Sequence, residues 1–225
     1  MNDPILEVVS VSKKFVTAEG DITILRDVNL QINAGEKVAI IGPSGSGKST
    51  LLSILGLLDT PSTGLVKFSG QDLSNLGEAE QAKTRNKKIG FIFQSFELIS
   101  SFTARENIVA PVEIAGDAVD QVDLQELMTE LGISKRSQAL PATLSGGEKQ
   151  RVAIGRALFH KPDIIFADEP TGSLDRITGE KVIDLLLDSV SNRGTTLVLI
   201  THDESLASKM DRVFVIQDKC LHERS

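Results

Sequence analysis

Residues 42–50 of this 225-residue chain read Gly42-Pro43-Ser44-Gly45-Ser46-Gly47-Lys48-Ser49-Thr50. The spacing G-x-x-x-x-G-K-[ST] suits a loop wrapped around phosphate oxygens. Glycines let main-chain N–H groups curl toward the anion, and the N-terminus of a following helix adds partial positive charge. Lys48 is placed to reach the β- and γ-phosphates, and the Ser49 hydroxyl to complete a Mg²⁺ ligand set. The apolar run Lys37–Ile41 before the loop and the helical pattern after it supply the strand–loop–helix context that this chemistry needs. A nucleoside triphosphate is therefore the expected ligand, with ATP and GTP equally open on these residues.

A second group is acidic. Asp163-Ile-Ile-Phe-Ala-Asp168-Glu169 is an apolar strand pattern ending in two carboxylates. Such a pair alone reads as a solvated turn. After a P-loop in the same α/β domain it reads as chemistry, because parallel strands open their carboxyl ends onto one crevice. Asp168 is expected to hold Mg²⁺, directly or through water, and Glu169 to polarise an attacking water. A third group, Leu144-Ser145-Gly146-Gly147-Glu148-Lys149-Gln150-Arg151, opens a helical pattern. Ser145 suits an N-cap, and the two glycines leave N–H groups open to an anion. Taken alone, the segment is an ordinary capped helix with Glu148 completing a capping box.

These groups must be positioned by alternating elements. Strands are expected at 4–11, 22–32, 37–41, 64–68, 88–93, 163–167, 195–200 and 212–217, with a turn at residues 18–21. Helices are expected at 48–57, 103–113, 121–131, 147–158, 177–190 and 203–209. Residues 95–160 carry three helical patterns and no convincing strand, so a nucleotide-binding α/β core (about 1–94 and 161–225) is expected to be interrupted by a helical subdomain (about 95–160). The last predicted strand leaves no room for an added regulatory domain.

Composition limits the function classes. The net charge of −7 argues against nucleic acid as the main partner and against a generally basic, lipid-binding surface. The N-terminus lacks the pattern of a secretion signal, and the longest apolar stretch, residues 51–58, is too short to span a bilayer. Work at a membrane is expected to go through another subunit. The single Cys220 precludes an internal disulfide and fits a reducing compartment. His160 and His222 fall in no motif and read as structural.

Over nearly its whole length the chain resembles the ABC ATPase family. LSGGEKQR is similar to that family's signature motif, and Gln94 in FIFQSFELI to its glutamine loop. Residues 166–171 resemble its second nucleotide motif, Gly172–Asp175 the loop after it, and His202 in LVLITHDES the switch histidine. Phe15 falls where the family places an aromatic ring against adenine. The resemblance implies a P-loop NTPase core with an antiparallel β subdomain and an inserted helical subdomain. It implies ATP and Mg²⁺ as ligands, with Ser49, Gln94 and Asp168 toward the metal. It implies a head-to-tail homodimer in which Ser145, Gly146 and Gly147 of one copy cap the γ-phosphate held by the other's P-loop. Asp175 would lie at that interface, and His202 would contact the γ-phosphate and orient the water.

FADEPTGSLD, FQSFELI and the run Ala104–Ile108 resemble the lipoprotein-release, macrolide-export and cell-division group of these ATPases. Many relatives have Pro where this chain has Ser100, in the stretch that would face a permease. The resemblance implies a partner permease encoded separately, a peripheral place on the cytoplasmic face of the inner membrane, and export of lipoproteins or hydrophobic compounds. Mechanical signalling across the membrane without transport is the alternative it leaves open. Soluble repair or translation ATPases fit less well, since the chain has one P-loop and no Cys-x-x-Cys hook.

Overall fold

A computed structural model describes residues 4–18, 20–73 and 76–224. Along the chain run β1 (Leu6–Thr17), β2 (Gly20–Ile32), β3 (Lys37–Ile41), α1 (Lys48–Leu55), β4 (Thr63–Phe68), β5 (Gln71–Asp72), α2 (Glu78–Lys88) and β6 (Ile89–Phe93). There follow α3 (Ala104–Ala115), α4 (Gln121–Glu130), α5 (Gly146–Phe159), β7 (Ile164–Asp168) and α6 (Arg176–Arg193). The last elements are β8 (Thr196–Ile200), α7 (Glu204–Ala207), β9 (Arg212–Gln217) and β10 (Cys220–Glu223). The chain packs as two units, residues 1–85 with 196–225, and residues 86–195.

In the first unit, β1 pairs antiparallel with both β2 and β4, and β4 continues to β5. This makes a four-stranded antiparallel sheet in the order β2-β1-β4-β5. Alternate residues of β1 and β2 point inward, so Leu6, Val8, Leu25, Val28, Leu30 and Ile32 are buried while their neighbours are wet. β3 lies between β8 and β9, parallel to each, with β10 antiparallel on the outer side of β9. β3 and β8 are apolar almost throughout, as strands covered on both faces must be. α1 buries Leu51, Leu52, Ile54 and Leu55.

In the second unit β6 and β7 pair in parallel, Ile89 level with Ile164 and Phe93 with Asp168. α5 is its central helix, packed against α3, α4, α6 and β6, and it buries Val152, Ala153, Ile154, Ala157 and Leu158. α3 starts at a complete capping box, Thr103 with Glu106, and ends at Gly116 in the left-handed conformation.

Several element bounds differ from expectation. β1 runs to Thr17 rather than residue 11, held by pairing across to Gly20. β2 begins at Gly20, inside the expected turn, whose Glu19 lies outside the described residues. The helix expected over 203–209 shortens to Glu204–Ala207, because Asp203 is its cap rather than its first turn. α2, β5 and β10 are unforeseen elements. α2 (EAEQAKTRNKK) buries no residue, so it has no apolar stripe to betray it.

Candidate functional site

The candidate residues divide between the two units. The first unit carries Phe15, the P-loop and His202. β3 ends at Ile41, the loop turns over 42–47, and α1 starts at Lys48 with Gly47 as N-cap (φ 100°). No side chain caps this helix and no acid lies in its first turn, so its end suits an anion. Glycine is required here by space as well as by φ. A Cβ at Gly42 would stand 2.9 Å from Ser46 Oγ and 3.0 Å from the Ile216 carbonyl, and one at Gly47 3.0 Å from Ile24 Cγ2.

The Lys48 ammonium donates to the carbonyls of Gly42 (2.8 Å) and Pro43 (2.9 Å), within its own loop. Ser46 Oγ is buried without a hydrogen-bond partner. A cation held only by neutral carbonyls and an orphaned buried hydroxyl are what a polyphosphate would satisfy. Ser49 is exposed at the same helix end. Among the described residues no three or more His, Cys, Asp or Glu form a metal cage.

Phe15, 45% exposed, pairs across β1 and β2 with Ile22, two residues from the Ile24 that lies against Gly47. The Lys13 ammonium sits 5.2 Å from the Phe15 ring centroid and is fixed there by Asp59 (2.7 Å) and the Thr60 carbonyl (2.8 Å). An exposed ring so steadied is a platform for a flat heterocycle. His202 follows β8, whose neighbour β3 leads into the P-loop, and Thr201 N–H donates to the Ile40 carbonyl at 3.3 Å. Asp203 caps α7, accepting from the N–H and hydroxyl of Ser205. The Ser205 hydroxyl, with the neighbouring charge of His202 among the smaller causes, holds the Asp203 carboxyl below its usual range.

The second unit carries Gln94, Asp168, Glu169, Ser145–Gly147 and Asp175. Gln94 follows β6 directly, and Phe93 is level with Asp168 at the end of β7. The glutamine and the two acids thus leave neighbouring strand ends together. Glu169 has φ 46°, a left-handed conformation uncommon outside glycine, and its carbonyl accepts from Gly172 N–H at 3.0 Å. Backbone strain of this kind is kept at functional positions. A Cβ at Gly172 would meet the Gln94 amide nitrogen at 2.7 Å, so the glycine is what lets Gln94 lie there. The Ser173 hydroxyl donates to the Gln94 carbonyl at 3.0 Å.

Ser145 caps α5, its oxygen accepting from Glu148 N–H (3.3 Å) while the Glu148 carboxylate accepts from Ser145 N–H (2.8 Å). Glu148 also pairs with Arg136 at 2.8 Å, and the Ser145 N–H first, then Arg136, hold its carboxyl below the usual range. The ordinary capped helix expected of these residues is thus present. Asp175 caps α6 through Thr178 N–H at 3.0 Å, and the Thr178 hydroxyl first, then that N–H, hold its carboxyl below the usual range. Leu174 and Thr178 pack against Gly146 and Gly147, where an added Cβ would stand 3.0 and 2.6 Å away. The signature glycines and the turn to Asp175 therefore form one continuous patch. In this unit Gly172 and Ser173 fall in the loop 172–175 that the family resemblance marks, though neither carries a role there, and Arg156 alone has no recognisable local pattern.

His160 is half-buried with Nε2 3.2 Å from the Ile89 carbonyl, and burial lowers its pKa, a structural environment. No described helix is long and apolar enough to cross a membrane.

A strand-fed P-loop, an acidic strand end and a capped signature helix on a mixed α/β fold define an ATP-binding cassette. The chain belongs to the ABC transporter family, whose model matches residues 25–172. It is an ATP-binding, ATP-hydrolysing subunit of such a transporter. It is 46% identical to the lipoprotein-releasing system ATP-binding protein LolD of Shewanella oneidensis, over 97% of this chain and 96% of that one. It is also 46% identical to the uncharacterized ABC transporter ATP-binding protein YbbA of Escherichia coli K12, over 98% of each chain. Among solved structures it resembles the ATP-binding cassette MJ0796, described as a dimer in a post-hydrolysis state bound to ADP and Pi. The TM-score is 0.89, with 39% identity and 98% of each chain covered.

Proposed function

We propose that this chain is the ATPase of a lipoprotein-releasing transporter, or of a close relative that exports hydrophobic compounds. It dimerises head to tail on ATP and drives a separately encoded inner-membrane permease from the cytoplasmic face. The observation that carries the substrate class is the near full-length identity to LolD. Relatives named for lipoprotein release favour transport over mechanical signalling without transport. Head-to-tail pairing is supported by the dimeric cassettes of similar fold and by one chain carrying two helix ends suited to anions. The helical subdomain is assigned to residues 95–160, with the nucleotide-binding core on either side.

In this reading Phe15 stacks on adenine, residues Gly42–Thr50 wrap the phosphates, and Lys48 neutralises charge on the β- and γ-phosphates. Ser49, Gln94 and Asp168 would hold Mg²⁺, which when bound supplies charge neutralisation to the phosphate oxygens. Glu169 takes the proton from the water as its oxygen forms a bond to the γ-phosphorus and the bond to the ADP oxygen breaks. His202 orients that water and contacts the γ-phosphate. Ser145, Gly146 and Gly147 of the second copy cap the same γ-phosphate, with Asp175 at the seam. Loss of the bridging group then loosens the dimer, the source of mechanical work.

The test is to purify tagged Glu169→Gln chain from detergent-solubilised membranes with ATP and Mg²⁺. The expected result is turnover below about a hundredth of wild type and co-purification of a membrane protein with few spans and a large extracytoplasmic domain. Wild-type hydrolysis would remove Glu169 from its role. A many-spanning permease in its place would overturn the lipoprotein-release assignment.

A further inference from the structure

α5 carries, on the same rod as Ser145, a polar group that none of these roles uses. Arg156 lies about 16 Å further along the helix axis at the usual rise per residue. Its half-buried guanidinium donates to the carbonyls of Phe96 (2.9 Å) and Glu97. Both acceptors belong to the loop that begins at Gln94, and both residues have positive φ, 65° and 48°. Two consecutive non-glycine residues in this region are strained and persist only when their surroundings hold them. Within the loop, Ser95 Oγ donates to Glu97 Oε1 (2.6 Å) and Phe96 N–H to the Phe93 carbonyl (3.1 Å), and from outside it Ser173 Oγ donates to the Gln94 carbonyl (3.0 Å). Burial lowers the pKa of Arg156, opposed by the charge of Glu97, and a guanidinium stays charged through this. A half-buried charge given over to main-chain carbonyls marks a group whose work is to hold a backbone shape.

We propose that Arg156 is a positioning residue for Gln94, locking residues 94–97 to α5 so that the helix bearing the signature glycines sets where the glutamine amide stands. The inference rests on the reading of Gln94 as a metal-side group. A helix transmits displacement along its axis with little give. A shift of its Ser145 end when the second copy docks is therefore carried to Phe96 and Glu97, and so to Gln94. The far side of Gln94 is fixed independently, by Ser173 on its carbonyl and by the missing Cβ of Gly172. Lysine is a poor replacement, because Arg156 binds the two carbonyls from separate nitrogens of one rigid planar fork, Nη1 to Glu97 and Nη2 to Phe96, whereas an ammonium is a single point on a flexible stem.

The experiment uses the full chain with Glu169→Gln as a hydrolysis trap, and Mn²⁺ as the probe, read by electron paramagnetic resonance in saturating ATP. Gln94→Ala, Arg156→Met, Arg156→Lys and the Gln94→Ala/Arg156→Met double variant are compared. Arg156→Met is expected to weaken Mn²⁺ about tenfold, the scale of lost support behind a metal ligand. Arg156→Lys, which keeps charge and most of the volume, should fold even if Arg156→Met does not, and should lose Mn²⁺ nearly as much. In the Gln94→Ala background the Arg156 change should add nothing. Metal-free ATP affinity should stay at the level of the trap. A lowered melting temperature with unchanged Mn²⁺ affinity, or full additivity in the double variant, overturns the proposal and leaves Arg156 a packing residue. Unchanged Mn²⁺ affinity in Gln94→Ala alone would instead overturn the metal-side reading of Gln94, and the inference with it.

Discussion

Two helices of this protein begin at glycine-rich segments suited to anions, and they are finished differently. α1 starts behind Gly47 with no side-chain cap and no acid in its first turn, and its first residue, Lys48, is a cation. α5 starts behind Ser145 inside a complete capping box, with the Glu148 carboxylate on its own N-cap N–H. The first end has its donors available and a positive charge beside them, so it suits phosphate unaided. The second already holds a negative charge at the place an anion would approach. Its pull on a phosphate is weak until another chain presents one already bound. The difference orders events in the proposed cycle: nucleotide binds the P-loop first, and the signature helix of a second copy joins afterwards.

The comparison can be broken at either end. The largest effect is expected from Lys48→Ala, which removes charge-assisted bonds to two phosphates. ATP affinity should fall at least about a hundredfold by calorimetry, since two such bonds at about 1.5–3 kcal/mol each total at least about 3 kcal/mol. Affinity within threefold of wild type would show that the primary site is not the P-loop. Gly147→Ala probes the other end, because the new methyl would stand 2.6 Å from Thr178 Cγ2 and must push the helix end away from the α6 cap. In the Glu169→Gln background it should leave ATP affinity untouched and weaken the ATP-dependent dimer about tenfold, about 1.4 kcal/mol, by analytical ultracentrifugation. Equal dimerisation would sever α5 from the interface.

Smaller effects sharpen the contrast. Ser145→Ala should cost about 1 kcal/mol of stability, the worth of an N-cap hydroxyl. Ser145→Thr should recover most of it in urea unfolding, whereas the end of α1 has no side-chain cap to lose. Glu148→Gln tests charge at that end through pH. The folded state holds Glu148 below its ordinary value of 4.5, so its contribution is present above that value and lost as pH falls through the lower folded one. The gap in unfolding midpoint between wild type and Glu148→Gln should therefore shrink from pH 7 toward pH 3. A gap constant with pH would show that hydrogen bonding rather than charge fixes this helix end.

Much of this was legible from the sequence wherever the cause is local. The apolar runs of β3 and β8 announce buried parallel strands, and the spacing of 42–50 announces the phosphate loop. Asp175 was read from the sequence as an interface residue, and the structure adds that it caps α6. Elements without such a cause went unread. α2 buries nothing, β5 is two residues long, and β10 is a four-residue strand that exists because β9 offers it an edge. In the site, a lone arginine has no readable pattern, and Arg156 matters only because of what the fold brings to it. Gly172 and Ser173 lie in a loop the sequence marks, but their contacts with Gln94 come from the fold.

The sequence by itself determined the phosphate loop, the acidic strand end and the capped signature helix. Each depends on residues a few positions apart, whose geometry is set by backbone sterics and short hydrogen bonds. The tertiary structure alone decided that Ser173 reaches the Gln94 carbonyl across 79 positions and that Arg156 reaches Phe96 across 60. It alone set Leu174 against Gly146. Such contacts arise when whole helices and strands pack to bury their apolar faces, and their polar groups then pair with whatever packing has placed beside them.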